Sequence, residues 1–167
     1  MEISNINLGK NVKVDTTSTL NNVSIGDHVK IAKFCSVYGS QNNLLEIGDY
    51  SYVGMFSILN GYSGKIKIGK HVSIAQNVNI MTDSGPNASE LMQSVYPIIK
   101  GDVIIEDHAW IGAGAIIMPN VRVGRCCIIG ANSFLMKDAE PYSVYGGNPA
   151  VLLKKINIDD PDGNKKI

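Results

Sequence analysis

The sequence predicts an all-β chain wound as a parallel β-helix of about six triangular coils, and three observations carry that prediction. An aliphatic residue returns every sixth position, as at Ile105, Ile111, Ile117, Val123, Ile129 and Leu135. Four residues after each stands a small or branched side chain: Ala109, Ala115, Val121, Cys127, Ser133 and Ala139. Glycine often follows the anchor directly, at Gly112, Gly124 and Gly130. A six-residue period fits neither an amphipathic helix, at about 3.6, nor an alternating strand, at about 2. It fits a solenoid in which each short strand points one anchor inward and then turns.

The period can be followed from the N-terminus. Leu8, Val14 and Leu20 open it, with Val12, Ser18 and Ser24 in the small slot, and Ile25, Ile31 and Val37 follow. Ile47, Val53 and Leu59 come next, then Ile68, Ile74 and Ile80. Three hexads close one triangular coil, so coils start at Leu8, Ile25, Ile47, Ile68, Ile105 and Val123, at intervals of 17, 22, 21, 37 and 18 residues. Eighteen is the ideal, so the excess must leave the helix as loops: two short ones, 39–45 and 61–67, and a long one, 81–102. The long loop holds TDSGPN, then ASELMQS with the makings of a helical turn, then YPIIKGD. Such bulges are where function concentrates, because the coils themselves cannot vary. At roughly 4.8 Å per coil the prism is about 30 Å long. The helical body is predicted over 1–150, and 151–167 is read as a cap and polar tail. VLLKKI is taken as a short capping helix and DDPDGNKKI as a solvated end.

Composition excludes several function classes. The formal charge is zero and 18% of residues are charged, so no global field attracts nucleic acid or anionic membrane. No basic stripe with interleaved aromatics is present, which argues against a nucleic-acid partner. MEISNINLGKNVKV lacks the apolar run of a signal peptide, and no stretch is long enough to span a bilayer, so the expected location is cytoplasmic. Three cysteines make a poor disulfide framework. Cys35 and Cys127 fall in the small inward slot and read as buried hydrophobes, while Cys126 falls in a turn.

The stretch from Tyr96 to Ile156 carries HAWIGAGA, IIMPNVRVG, IIGANS, MKDAEPYSVYGGNPA and a basic end. The repeat by itself says left-handed β-helix. This ordered set resembles the hexapeptide-repeat acetyltransferases, among them the galactoside and maltose, xenobiotic and surface-polysaccharide acetyltransferases. The resemblance implies a homotrimer that uses acetyl-CoA as co-substrate, needs no metal, and builds its sites between neighbouring prisms. It implies that backbone groups of Ala113 and Ala131 bind the pantetheine arm, with Trp110 near the acyl end. Met136 and Lys137 match a pair near the nucleotide, and Lys154, with Lys155 beside it, matches basic residues facing the phosphates. The chemistry is consistent: an amide arm needs close approach to backbone, and phosphates need cations.

One departure matters. Enzymes of this kind keep a histidine in the long loop as general base for a hydroxyl acceptor. The corresponding segment here is Thr82-Asp83-Ser84-Gly85-Pro86, and the loop holds no histidine. Three replacements stay open. Asp83 can take or orient a proton, although an aspartate before Ser-Gly-Pro is also an ordinary turn former. The acceptor can be an amine, which attacks a thioester with less help. Or a coil histidine serves. His28, His71 and His108 are each the third residue after a coil start and should stack on one corner, where Asn11, Tyr50 and Cys126 complete the row. That slot suits residues tolerant of positive φ, which is the plain reason for histidine there. The sharper reading makes His108, beside Trp110, a base.

The expected function is therefore acetyl transfer from acetyl-CoA to a sugar or sugar-nucleotide acceptor. It is O-acetylation by default for the family resembled, and N-acetylation by the missing loop histidine. The alternatives are a non-catalytic β-helix that has lost its base and, less favoured, a xenobiotic acetyltransferase. Zinc-dependent carbonic anhydrases share the prism but need closely spaced histidines, whereas none here are nearer than 37 residues.

Overall fold

The computed structural model describes residues 4–159. Its strands lie on three faces of a prism, almost all parallel. The first face runs Ile6–Leu8, Val23–Ile25, Leu45–Ile47, Ile66–Ile68, Val103–Ile105 and Val121–Val123, in that order. Every predicted coil start lies on it in register, Leu8 against Ile25, Ile25 against Ile47, Ile47 against Ile68, Ile68 against Ile105 and Ile105 against Val123. The second face carries Val14, Ile31, Val53, Ile74, Ile111 and Ile129, and the third carries Leu20, Val37, Leu59, Ile80, Ile117 and Leu135. The result is a six-coil left-handed β-helix.

From Ile25 onward the anchors are buried, and together with Cys35, Ala109, Ala115, Val121, Cys127 and Ala139 they form one continuous core. The first coil has a neighbour on one side only among the described residues, and Leu8 is 51% exposed there. Serines in the small slot are buried without being orphaned: Ser51 Oγ donates to the Gly69 carbonyl at 2.9 Å and Ser57 Oγ to that of Ala75 at 3.1 Å. Bonding to the next coil offsets the desolvation of each hydroxyl. The glycine after the anchor has a steric reason. A Cβ on Gly112 would come within 2.6 Å of the Ala131 backbone nitrogen in the coil above.

The C-terminal segment departs from expectation. Val151–Lys155 is a strand, not a helix, and pairs antiparallel with Ser143–Gly146 at the end of the second face. Ser143–Gly146 would otherwise present an open edge, and a strand there satisfies backbone groups that a helix would leave unpaired. The turn between them includes Gly147 at φ +102°. The polar tail beyond residue 159 lies outside the described residues. Among the described residues no helix is long and apolar enough to cross a membrane.

Candidate functional site on the excursion edge

The three edges of the prism differ in chemistry. Between the first and second faces lies a ladder edge. Asn11, His28, Tyr50, His71, His108 and Cys126 all have φ between +54° and +60° there, so the turn-slot explanation of the histidines holds at each coil. Their rings stack in parallel, His28 on Tyr50 at 4.7 Å, Tyr50 on His71 at 5.1 Å and His71 on His108 at 5.0 Å. Carboxylates brace the same turns: Asp27, Asp49 and Asp107 accept the backbone N–H groups of Lys10, Asp27 and Lys70. The second edge, between the second and third faces, stacks Phe34 on Phe56 at 5.1 Å and continues through Asn77, Gly114 and Asn132.

The third edge, between the third and first faces, receives every excursion. The loops after Ser36–Tyr38, Ile58–Asn60 and Asn79–Met81 all leave there, one above another. Their roots are clamped. Thr82 is fully buried, its Oγ1 donates to the Asn60 carbonyl at 2.9 Å and accepts from the Ser63 N–H at 3.2 Å, and its carbonyl accepts from the Gly101 N–H at 3.0 Å. Asp83 follows in a two-residue strand, Asp83–Ser84, antiparallel to Ile99–Lys100, and stands opposite Lys100. Ser63 Oγ from the excursion below donates to Asp83 Oδ2. This half-buried carboxylate is thus held at a fixed root, and the rest of the loop swings outward into the helix Glu90–Val95. That helix is capped by Ser89, whose Oγ accepts the Met92 N–H, and buries no residue. Leu91, Met92, Val95 and Tyr96 are all exposed.

The predicted site residues do not gather at one point within a protomer. Asp83 and His108 lie on different edges, so no single chain brings them together. Trp110 sits on the second face, 52% exposed, in register between Ser73 and Ile128. Ala113 and Ala131 occupy consecutive coils at the second edge, where the Asn132 N–H donates to the Ala113 carbonyl at 2.8 Å. Lys154 is half-buried on the added strand opposite Val144, and Lys155 is engaged by Glu140 in an ion pair. Met136 and Lys137 are exposed at the excursion edge, two coils C-terminal of Asp83, or roughly 10 Å along the axis. Asn120 lies between, its Nδ2 donating to the Lys100 carbonyl at 3.0 Å.

Sequence reasoning missed Ser63 and Lys100 as neighbours of Asp83, and Tyr38 as another group within its field. A signal existed: each excursion follows the third hexad of its coil, which assigns all of them to one edge. Burial first, and the Asp83 charge second, push the Tyr38 phenol above its ordinary value. Burial pushes the Cys127 thiol up to about 12, which makes it inert as a nucleophile. Among the described residues no cluster of three His, Cys, Asp or Glu side chains could hold a metal ion.

A left-handed prism of hexads interrupted by one long loop is the architecture of the hexapeptide β-helix transferases. Residues 102–137 match the family described as bacterial transferase hexapeptide (six repeats). The chain is 32% identical over 152 residues to the dTDP-4-amino-4,6-dideoxy-D-glucose acyltransferase of Escherichia coli, covering 86% of this chain and 78% of that one. It is 38% identical over 105 residues to the galactoside O-acetyltransferase of Lactococcus lactis subsp. lactis, covering 61% of this chain and 50% of that one. Among solved structures it resembles a mutant of AntD, an N-acyltransferase from Bacillus cereus in complex with dTDP-4-amino-4,6-dideoxyglucose and Coenzyme A. The TM-score is 0.81 at 26% identity, over 96% of this chain and 88% of that one. The chain belongs to the hexapeptide-repeat acyltransferase family.

Proposed function

We propose that the protein transfers an acetyl group from acetyl-CoA to the amine of a nucleotide-linked sugar, as a cytoplasmic homotrimer with sites between protomers. One observation carries the choice of amine. The excursion edge offers an anchored carboxylate, Asp83, while all three histidines of the chain are stacked in the ladder on a different edge. A hydroxyl needs a base to become a useful nucleophile, whereas a neutral amine already carries its lone pair. The amine nitrogen attacks the thioester carbonyl, a C–N bond forms and the C–S bond breaks. The proton lost from nitrogen ends on the CoA sulfur. Asp83 is the catalytic residue in this reading: it accepts an N–H of the amine, aims the lone pair and relays the proton.

Both named relatives with an aminated sugar nucleotide support this acceptor. AntD has been solved with replacements at a serine and at an aspartate ten positions further on. Ser73 and Asp83 share that spacing here. Ser73 lies on the second face beside Trp110 and Asp83 on the excursion edge, so one site using both takes them from two protomers. The surface is suited to such packing. The first face is laced with ion pairs such as Lys65–Glu46 and Arg122–Glu106, whereas Phe34, Tyr52, Met55, Phe56 and Ile58 are exposed on the second and third faces. Ala113, Ala131, Trp110, Lys137 and Lys154 are assigned to CoA, with the lysines at its phosphates. Three free cysteines suit a reducing compartment.

Thiol release from acetyl-CoA, measured with paired amino and hydroxyl sugars free and nucleotide-linked, tests the reading. Turnover is expected with the amine and not with the hydroxyl. Flat rates with every acceptor, together with no CoA binding by calorimetry, would refute it.

A further inference from the structure

A cavity of about 900 Å³ opens on the excursion edge on the N-terminal side of Asp83, within the size range of small-molecule sites. Asn21 and Ser36 on the third face, Tyr38 at its rim, Gln41 and Asn42 from the first excursion and Tyr62 from the second line it. The two excursions are tied together, since Asn43 Nδ2 donates to the Tyr62 carbonyl at 3.3 Å and the Tyr62 N–H donates to Asn60 Oδ1 at 3.1 Å. The coil residues of the wall are held as firmly. Asn21 Oδ1 accepts the Ser4 N–H at 2.9 Å, and Gly39 beside Tyr38 donates to the Asn21 carbonyl at 3.0 Å. Nothing assigned so far to CoA or to the reacting amine uses these residues.

The lining is uncharged throughout: amides, hydroxyls, two phenol rings and one leucine. That excludes the cavity as a seat for phosphates, which need cations, and so for the nucleotide end of CoA. The lysines suited to that task, Lys137 and Lys154, belong to the opposite end of the prism. What an uncharged wall of carboxamides and phenols does recognise is a flat heterocycle and its sugar. Carboxamides present donor and acceptor together, matching the edge of a base, and phenol rings supply apolar area with a polar tip. The position fits as well. Tyr38 is in the second coil and Asp83 in the fourth, two steps or roughly 10 Å along the axis. Tyr38 also feels the Asp83 charge, which sets the cavity rim and the carboxylate in one neighbourhood.

We infer that this cavity is the nucleoside subsite of the acceptor, seating the base and ribose of a nucleoside diphosphate sugar whose amine reaches Asp83. This rests on the acyltransferase reading above and adds to it where, and by which residues, the nucleotide is held. The excursion edge then carries, from N- to C-terminus, the nucleoside, the reacting amine and Lys137 of the CoA set.

Calorimetric titration of the full chain with dTDP, UDP and GDP tests it, each repeated with Tyr62→Ala and Asn42→Ala and set against CoA. Tyr62 is 65% exposed and its loss leaves the core untouched. At least one of the three diphosphates is expected to bind, and each variant to weaken it tenfold or more with CoA affinity unchanged. In turnover, the variants raise KM for the nucleotide-linked amino sugar and leave kcat at saturation within twofold. Binding of none of the three, or affinities unmoved in both variants, overturns the subsite. If CoA still binds and amino sugars are still acetylated, the acyltransferase reading survives that failure. Loss of nucleotide binding in the variants without any CoA binding sinks the acyltransferase reading and keeps the subsite.

Discussion

Two edges of the same prism have been put to opposite uses. The ladder edge repeats one turn six times with no insertion, and its side chains answer to geometry: positive φ, a braced carboxylate, a ring stacked on the ring below. The excursion edge breaks the repeat three times and gathers Asp83, Ser63, Lys100 and the uncharged cavity. Histidine therefore marks architecture here, and the aspartate proposed as catalytic stands on the other edge. In a solenoid the coil must satisfy its neighbours above and below, so reactive groups collect where chain leaves the stack.

The largest effect that would break this contrast is catalytic. Asp83→Ala should lower kcat by about 10²-fold or more, the usual scale for losing a proton-handling group, with little change in melting temperature. His108→Ala should leave kcat within a few-fold in the same assay. A strong loss in His108→Ala with the assembly intact would move the base to the ladder and restore a hydroxyl acceptor.

Stability should show the opposite pattern. His71→Val puts a β-branched residue at φ +55°, which costs on the order of 1–2 kcal/mol and removes two ring contacts. Thermal denaturation should fall by several degrees, while Asp83→Ala barely moves it. A smaller loss is expected for Tyr50→Asn, because asparagine tolerates the turn. What goes is the stacking on His28 and His71, worth about 0.5–1.5 kcal/mol per ring pair.

The smallest effects concern the thiols. Native protein treated with iodoacetamide should be modified at Cys126 alone, since Cys35 and Cys127 are buried. Cys127 also sets an alkaline limit. Its folded pKa, about 12, lies above the unfolded value of about 8.5. The unfolded chain therefore loses its proton first as pH rises. Stability from the protonated thiol is complete below about pH 8.5 and declines toward pH 12. Urea melts across that range check the sign, and Cys127→Ala should flatten the decline.

Much of this was legible in the hexads. The core anchors, the coil starts, the stacked histidines and the three excursions follow from a period in which each position has one orientation. Other features were not, because they depend on contacts between distant segments. VLLKK contains good formers of both helix and strand, and the unpaired edge of Ser143–Gly146 decided for strand. Asp83 reads as a turn residue until Ser63, twenty positions earlier, donates to it.

The sequence by itself determined the prism, because a buried anchor at every sixth position admits only one way of winding the chain. It also determined that the long loop lacks a histidine. Only the tertiary structure decided that Ser63 and Lys100 meet Asp83 at the loop root, that Val151–Lys155 closes the second face as a strand, and that an uncharged cavity opens on the same edge as the carboxylate. Position around a coil is local and periodic, whereas a site is built from neighbours about 20 residues apart, brought within hydrogen-bonding reach by the rise of a single coil.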